Sequence, residues 1–280
     1  MLDRLRLPLL LAWPSLALFG LVVVPFAMLV RISFGTPGLE DLGGSGFTLE
    51  SYAGLLDRSF VLALLYSLGL AVLVAAASLG LGLPLTFFIT RMGRRQQVAW
   101  LIFLLTTLTL SDVLISFSWQ VMLSKRVGLS NLLVLLGLME RPDSLTPGLG
   151  ALSAALVYVV IPFTVLTLFP TMSALAPEMI EAARTLGASP LAAFGTVVVP
   201  LMRRSVAIAF LVSAVLTLGA YVPPLVLGRP RNWTMAVLIS NTALNGHNIP
   251  RAAAMSVILL LSVLLPTAAV AWAARARGGR

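Results

Sequence analysis

The chain contains no cysteine and a single histidine, His247. The first absence removes disulfides, thiolate nucleophiles, zinc–thiolate sites and iron–sulfur clusters. The second leaves too few imidazoles for a His-based metal or catalytic cluster. Charge is also scarce. Charged residues make up 10% of the 280 positions, where a soluble domain carries about 25%. Hydrophobic residues make up 59%. A surface this poor in polar groups needs lipid as its solvent over much of its area. No G-x-x-x-x-G-K-[ST] loop is present to cradle phosphates, and the cluster Gly43-Gly44-Ser45-Gly46 misses the G-x-S-x-G spacing of a nucleophile elbow. These absences imply no cofactor held by the chain and no enzymatic centre. A membrane-embedded enzyme would need at least two positioned groups, and only Asp112 and scattered hydroxyls are left to supply them.

What is present is apolar length. About 20 apolar residues in helix cross a bilayer core. Six runs reach that: 7–30, 59–90, 96–124, 144–177, 205–228 and 252–274. A seventh, 127–139, is too short to span and reads as an interfacial or re-entrant piece. Arg4 and Arg6 precede the first run as in a signal peptide, but the run is too long and no small-x-small site follows before Arg31. The sequence therefore predicts an all-α, polytopic membrane protein of about six spans, a single domain over 1–280. The prolines Pro84, Pro162, Pro170 and Pro266 fall inside runs and are expected to kink them. The largest outside loop is about 31–58, with a Gly-rich stretch, and two others, near 125–146 and 223–250, are long enough to fold over a pore mouth.

The net charge of +9 is read as topology, because the arginines flank apolar runs and form no basic helix. No nucleic-acid partner is implied. With six spans the termini share a side, and that side carries eleven Lys and Arg against eight on the other. The positive-inside rule then puts both termini and the 173–204 loop in the cytoplasm.

That loop holds the densest local signals. Pro177 suits a first helical position, Glu178 and Glu181 suit the positive end of a helix dipole, and Gly187 suits the residue just past a helix. Ser189 then offers an N-cap with Pro190 behind it, and Pro200 is expected to break or kink the chain before Leu201. The expected shape is two short helices about a glycine. The order Glu181-Ala182-Ala183, three residues, Gly187, nine residues, Val197-Val198-Val199-Pro200 resembles the EAA motif of permease subunits in binding-protein-dependent ABC importers. That pattern ends Ile-x-Leu-Pro, so Val197 and Val199 are the departures. Residues 48–91 and 219–239 are similar to the spermidine/putrescine-type branch, and the likeness covers roughly 48–270.

The resemblance implies a type I ABC importer permease in a bacterial inner membrane. It would pair with a second permease, identical or homologous. An ABC ATPase dimer would bind below, holding the ATP and magnesium, and a periplasmic solute-binding protein would deliver a small polar, polyamine-like solute. It also implies that Glu181, Ala182, Ala183 and Gly187 form the contact and hinge, with Arg184 a charge partner and Pro200 closing the motif.

Asp112 is the one ionisable residue inside a predicted span. Such residues mark pathways or sit near headgroups as structural glue, and both readings stay open. On one continuous helix Thr109, Asp112, Ser116 and Trp119 would share a face, which could line a path. Tyr158 and Tyr221 complete the path candidates. Thr164, Thr167, Ser213 and Thr217 serve equally as interhelical glue. A secondary transporter or channel with no ATPase is the rival reading. It would explain the spans and Asp112 but not a helix–Gly–helix loop with this spacing.

Overall fold

The computed structural model describes residues 3–36, 46–125, 128–137, 143–229 and 233–276. Residues 37–45 of the Gly-rich stretch, 230–232 and the tail 277–280, among others, lie outside the described residues. Among the described residues the only β pairing is an isolated bridge between Gly35 and Phe47. Everything else regular is helix. Four helices are long and apolar enough to cross a membrane, or up to six if each of two bent pairs counts as one span.

The helices, in order, are α1 Asp3–Ser33, α2 Glu50–Ala53, α3 Arg58–Arg91, α4 Arg94–Leu108, α5 Asp112–Met122, α6 Leu129–Leu135 and α7 Leu149–Ser173. There follow α8 Pro177–Thr185, α9 Pro190–Ala193, α10 Val199–Leu201, α11 Arg203–Gly219, α12 Val222–Leu227, α13 Met235–Leu244 and α14 Ile249–Ala276. The short helix α6 sits within the 127–139 run, as its length requires, though 127, 138 and 139 are outside the described residues.

The chain divides into two compact units, 1–62 with 238–262, and 63–237 with 263–280. In the smaller unit, α1 is exposed along almost all of Pro14–Arg31. The chain after it is pinned by stacked Phe34 and Phe47 rings 4.8 Å apart and by a Ser33–Tyr52 hydroxyl pair at 2.7 Å. Arg251 Nη2 donates to the Gly54 carbonyl at 3.2 Å, and Asn248 caps α14 by accepting from the Arg251 amide at 3.0 Å.

The larger unit is organised on α3, α7 and α11. Near one end, Leu70 and Val74 of α3 pack with Leu152, Ala155, Leu156 and Val160 of α7 and Leu227 of α12. At the other end, Leu79 of α3, Leu168 and Met172 of α7, Val198, and Met202 and Ala209 around α11 form a second core. A third cluster, Ile89, Leu104 and Val165, seats α4 against α3 and α7, with Trp100 against it. Trp100 is thus a packing residue. Polar zippers reinforce the α7–α11 contact: Thr164 and Ser213 hydroxyls meet at 3.0 Å, Thr171 and Ser205 at 2.7 Å. Satisfied hydroxyl pairs are the interhelical glue a lipid-facing bundle uses. At Gly82 an added Cβ would lie 2.8 Å from Thr164 Cγ2, so glycine is what lets α3 and α7 approach there.

Two sequence expectations are corrected. The 96–124 run is not one helix. It splits into α4 and α5 with a 94° bend. The cause is local: Ser111 caps α5, its Oγ accepting from the Val113 amide at 3.3 Å, and Asp112 follows in the first turn, where its charge suits the dipole. The 205–228 run likewise stops at Gly219 and resumes as the six-residue α12. Pro223 and Pro224 supply no amides for a continuing helix and fit only its first turn.

A smaller correction concerns Pro200. It does not break the chain before Leu201, since it lies inside α10. Its missing donor is absorbed by the wide π turn at Phe194–Val198, and the 79° bend falls later, between Leu201 and Arg203. Pro84, Pro162, Pro170 and Pro266 all sit inside helices assigned as continuous.

Candidate functional site

Two places in the larger unit gather the candidate residues. The first is the elbow from α8 to α10. Pro177 opens α8 and Glu178 lies in its first turn. The helix ends in a complete Schellman pair. The Gly187 amide donates to the Arg184 carbonyl at 3.0 Å, and the Ala188 amide reaches back to Ala183 at 3.1 Å. Gly187 has φ +88°, a left-handed value that favours glycine. Ser189 immediately caps α9, accepting from the Ala192 amide at 3.2 Å.

The elbow has two faces. Ile180 and Phe194 turn inward onto the second core, beside Leu83 and Phe87 of α3. Phe194 meets Phe87 edge-on at 5.3 Å, and the Arg91 guanidinium sits over the same Phe87 ring, also at 5.3 Å. The outward face carries Glu178, Glu181, Ala182 and Arg184, all exposed, with Ala183 half-buried. None of these charges forms an ion pair among the described residues. Two leucines flank the glycine almost bare, Leu186 at 89% and Leu191 at 84% exposure. Sequence reasoning missed both. Their signal was an apolar residue on each side of a glycine turn, outside any amphipathic register.

The second place is a cavity of about 360 Å³ where interrupted elements meet. Its walls include Thr107, Leu110 and Asp112 from the α4–α5 break, Tyr158 and Pro162 from α7, and Gly219, Ala220 and Pro223 from the α11–α12 break. A neighbouring cavity of about 470 Å³ is lined by Leu114, Ser118, Trp119 and Met122 of α5, and shares Leu110, Ile115 and Tyr158 with the first. Trp119 and Tyr158 rings are 6.2 Å apart, edge to face. The polar equipment of this region is one carboxylate, one phenol and a few hydroxyls among aromatic and apolar walls.

Of the four residues expected on one face, Asp112, Ser116 and Trp119 fall together on α5 and Thr109 does not. Thr109 belongs to the end of α4, its hydroxyl donating to the Thr106 carbonyl at 2.8 Å. Ser116 is buried and donates to the Asp112 carbonyl at 2.6 Å, so its hydroxyl is occupied within α5. Asp112 and Trp119 remain beside cavities, one on each, and Tyr158 borders both. Tyr221 is 37% exposed just before α12, where its carbonyl accepts from the Leu225 amide at 3.1 Å. It lines neither cavity. Thr164, Ser213 and Thr217 are buried and hydrogen-bonded, which assigns them to helix packing. His247 occupies a turn at φ +48°.

Among the described residues the fold is an all-helical bundle with bent candidate spans, and chains of solved ABC importers share it. The solved structure of a bacterial ABC transporter involved in the import of the acidic polysaccharide alginate contains a chain that matches over 96% of both, with TM-score 0.75 and 16% identity. The same transporter in complex with an alginate pentasaccharide-bound periplasmic protein matches at TM-score 0.75 and 15% identity, over 96% of this chain and 93% of that one.

Sequence relatives narrow the class, although no family model matches. The chain is 28% identical over 240 residues to the spermidine/putrescine transport system permease protein PotB of Escherichia coli (strain K12), covering 86% of this chain and 87% of that protein. It is 26% identical to the inner membrane ABC transporter permease protein YdcU of the same organism, over 90% and 88%. The PotB of Haemophilus influenzae matches at 21% over 94% and 91%. The chain is homologous to these transport permease proteins.

Proposed function

We propose that this chain forms half of the translocation path of an ATP-driven importer for a small cationic solute of polyamine-like chemistry. A second permease, the same or homologous, supplies the other half. An ABC ATPase pair docks on the α8–α9 elbow from the cytoplasm and binds the ATP and magnesium. A periplasmic binding protein delivers the solute on the opposite side. Both termini are then cytoplasmic. The chain holds no cofactor.

One observation carries this reading: the elbow's inner face is welded to the core of the spans while its outer face is left bare. Ile180 and Phe194 join Leu168, Met172, Val198 and Met202 in one packed cluster, and Leu186 and Leu191 point away from it, almost wholly exposed. Close packing transmits displacement because interiors are dense and stiff. The bare leucines and the small Ala182 suit an external groove, and exposed apolar groups on an otherwise polar helix mark interaction sites. In this mechanism ATP-driven closure of the ATPases pulls the elbow, the core carries the pull into α3, α7 and α11, and the broken elements around the cavities reorient to alternate access. Asp112 meets the solute's cationic group and Trp119 with Tyr158 meets its methylene body, as aromatic faces do for cations and alkyl chains. PotB's printed solutes, spermidine and putrescine, are of this chemistry.

The absence of native cysteine gives the test a clean background. Leu186→Cys and Leu191→Cys should label only from the cytoplasmic side, and should crosslink to a co-purifying ATPase in one-to-one ratio. Labelling from outside, or uptake by purified material lacking any ATPase, would remove the reading in favour of a secondary transporter.

A further inference from the structure

A groove of about 580 Å³ runs along the elbow end of the larger unit. Its walls are Leu79 of α3, Pro200 of α10, Val206 and Phe210 of α11, and Pro266 of α14. Arg203 is the only charged residue that lines it, with its methylene stem along the wall and its head free, as long basic side chains do beside apolar surface. Arg204 follows it in sequence. Both arginines are exposed, and neither has a hydrogen-bond or ion-pair partner among the described residues.

We propose that this groove is a binding site for an anionic phospholipid, one acyl chain lying along Val206, Phe210 and Pro266 and the phosphate held by Arg203 and Arg204. An apolar furrow in a membrane protein offers water no hydrogen bonds and matches a hydrocarbon chain. The Arg203 guanidinium at its wall, with the exposed Arg204 next in sequence, matches a phosphodiester in charge. The first turn of α11 supplies a further positive end beside them. Charge complementarity thus selects a lipid with a net negative headgroup over a zwitterionic one. The site touches the coupling machinery, since Leu79, Val206 and Phe210 also belong to or pack on the core that holds Ile180 and Phe194. A seated lipid braces that core, so membrane composition would tune the stiffness of the elbow.

The test uses the full-length chain in phosphatidylcholine nanodiscs containing a minority of phosphatidylglycerol, with retained lipid counted by native mass spectrometry. The expected result is retained phosphatidylglycerol over phosphatidylcholine, weakened by added salt. At about five-fold per arginine near an anionic headgroup, Arg203→Gln with Arg204→Gln should lower the preference about 25-fold, while the double change to lysine keeps most of it. Val206→Trp, which fills the groove and leaves both arginines, should also release the lipid; if that variant does not fold, the arginine pair, exposed and unpartnered, decides alone. Retention by the double glutamine variant, or equal retention of phosphatidylcholine, overturns the proposal. So does crosslinking of Leu211→Cys to a second copy of the chain, which would make the groove a protein interface.

Discussion

Gly187 is where a single methyl group tests the elbow. An added Cβ meets nothing within 4 Å, so Gly187→Ala introduces no clash. Its whole effect is conformational, because φ is +88°. Holding an L-residue with a Cβ in left-handed backbone costs about 1–2 kcal/mol. Each 1.4 kcal/mol is tenfold, so the population of the bent elbow relative to an opened one falls by about 5–30-fold. A docking partner that recognises only the bent form loses apparent affinity in proportion to the competent fraction, and that factor is the ceiling on the defect. Asparagine visits left-handed backbone more easily than alanine, so Gly187→Asn should cost less.

Gly187→Pro should cost most. It fixes φ near −65° and deletes the amide that donates to Arg184 at 3.0 Å. The expected order of coupled activity is therefore Gly, Asn, Ala, with Pro far below, at equal abundance in the membrane. The assay is solute-stimulated ATP hydrolysis and uptake by the reconstituted complex, normalised to permease content. If Ala and Pro both couple as wild type does, the elbow is not the docking element. If Asn and Ala are equally impaired, the left-handed strain is not the cause.

Three further outcomes follow from named contacts. Gly82→Ala places a methyl 2.8 Å from buried Thr164 Cγ2. It should destabilise by about 1–3 kcal/mol, and Thr164→Ser, which removes that methyl and keeps the hydroxyl for Ser213, should restore the melting temperature in the double variant. A single variant as stable as wild type would show that α3 and α7 are not in close contact there. Ser111→Ala removes the cap at the α4–α5 break and should cost about 1 kcal/mol. Faster hydrogen exchange at the Val113 amide is its signature, and unchanged exchange would deny the cap. Asp112→Asn keeps the shape of the first cavity's carboxylate and removes its charge. A lost charge-assisted contact is worth about 1.5–3 kcal/mol, so uptake efficiency should fall at least ten-fold for a cationic solute with assembly intact. Unaltered uptake kinetics would take Asp112 out of the path.

Capping chemistry was legible because it is local. Pro177, Gly187 and Ser189 announced their positions in a few residues of sequence, and the structure puts each at the helix end its chemistry demands. The bends were written in the same chemistry but drowned by hydropathy. Ser111 followed by Asp112 is an N-cap with an acid behind it, yet counting apolar residues from 96 to 124 reads straight across it. Pro223-Pro224 inside the fifth run is the same oversight. Thr109 left the face assigned to Thr109, Asp112, Ser116 and Trp119 for that reason, since a face exists only along one unbroken helix, while the other three keep their spacing within α5. Other features were beyond reach. No local pattern says that Phe87 will meet Phe194, more than a hundred positions later, or that Ile180 will pack onto Leu168 and Met172. Those depend on which surfaces the fold brings together.

The distribution of continuous and broken helices has a mechanical consequence. α7 runs unbroken from Leu152 and Leu156 in the first core to Leu168 and Met172 in the core beneath the elbow. At 1.5 Å per residue that is about 30 Å of rod. α3 parallels this role through Leu70 and Val74 at one end and Leu79, Leu83 and Phe87 at the other. Near the cavities the opposite choice was made: α4 and α5 meet at a 94° bend, and α11 gives way to α12 at Ala220. A stiff helix moved at one end moves at the other, whereas a capped break absorbs rotation in a few backbone dihedrals without losing hydrogen bonds inside either helix. On the proposed mechanism, displacement of the elbow would be carried along α3 and α7 and spent where the chain is interrupted. That is where Asp112, Tyr158 and Trp119 line the open space, so on the same proposal the residues that would hold a solute are those whose arrangement the elbow would change.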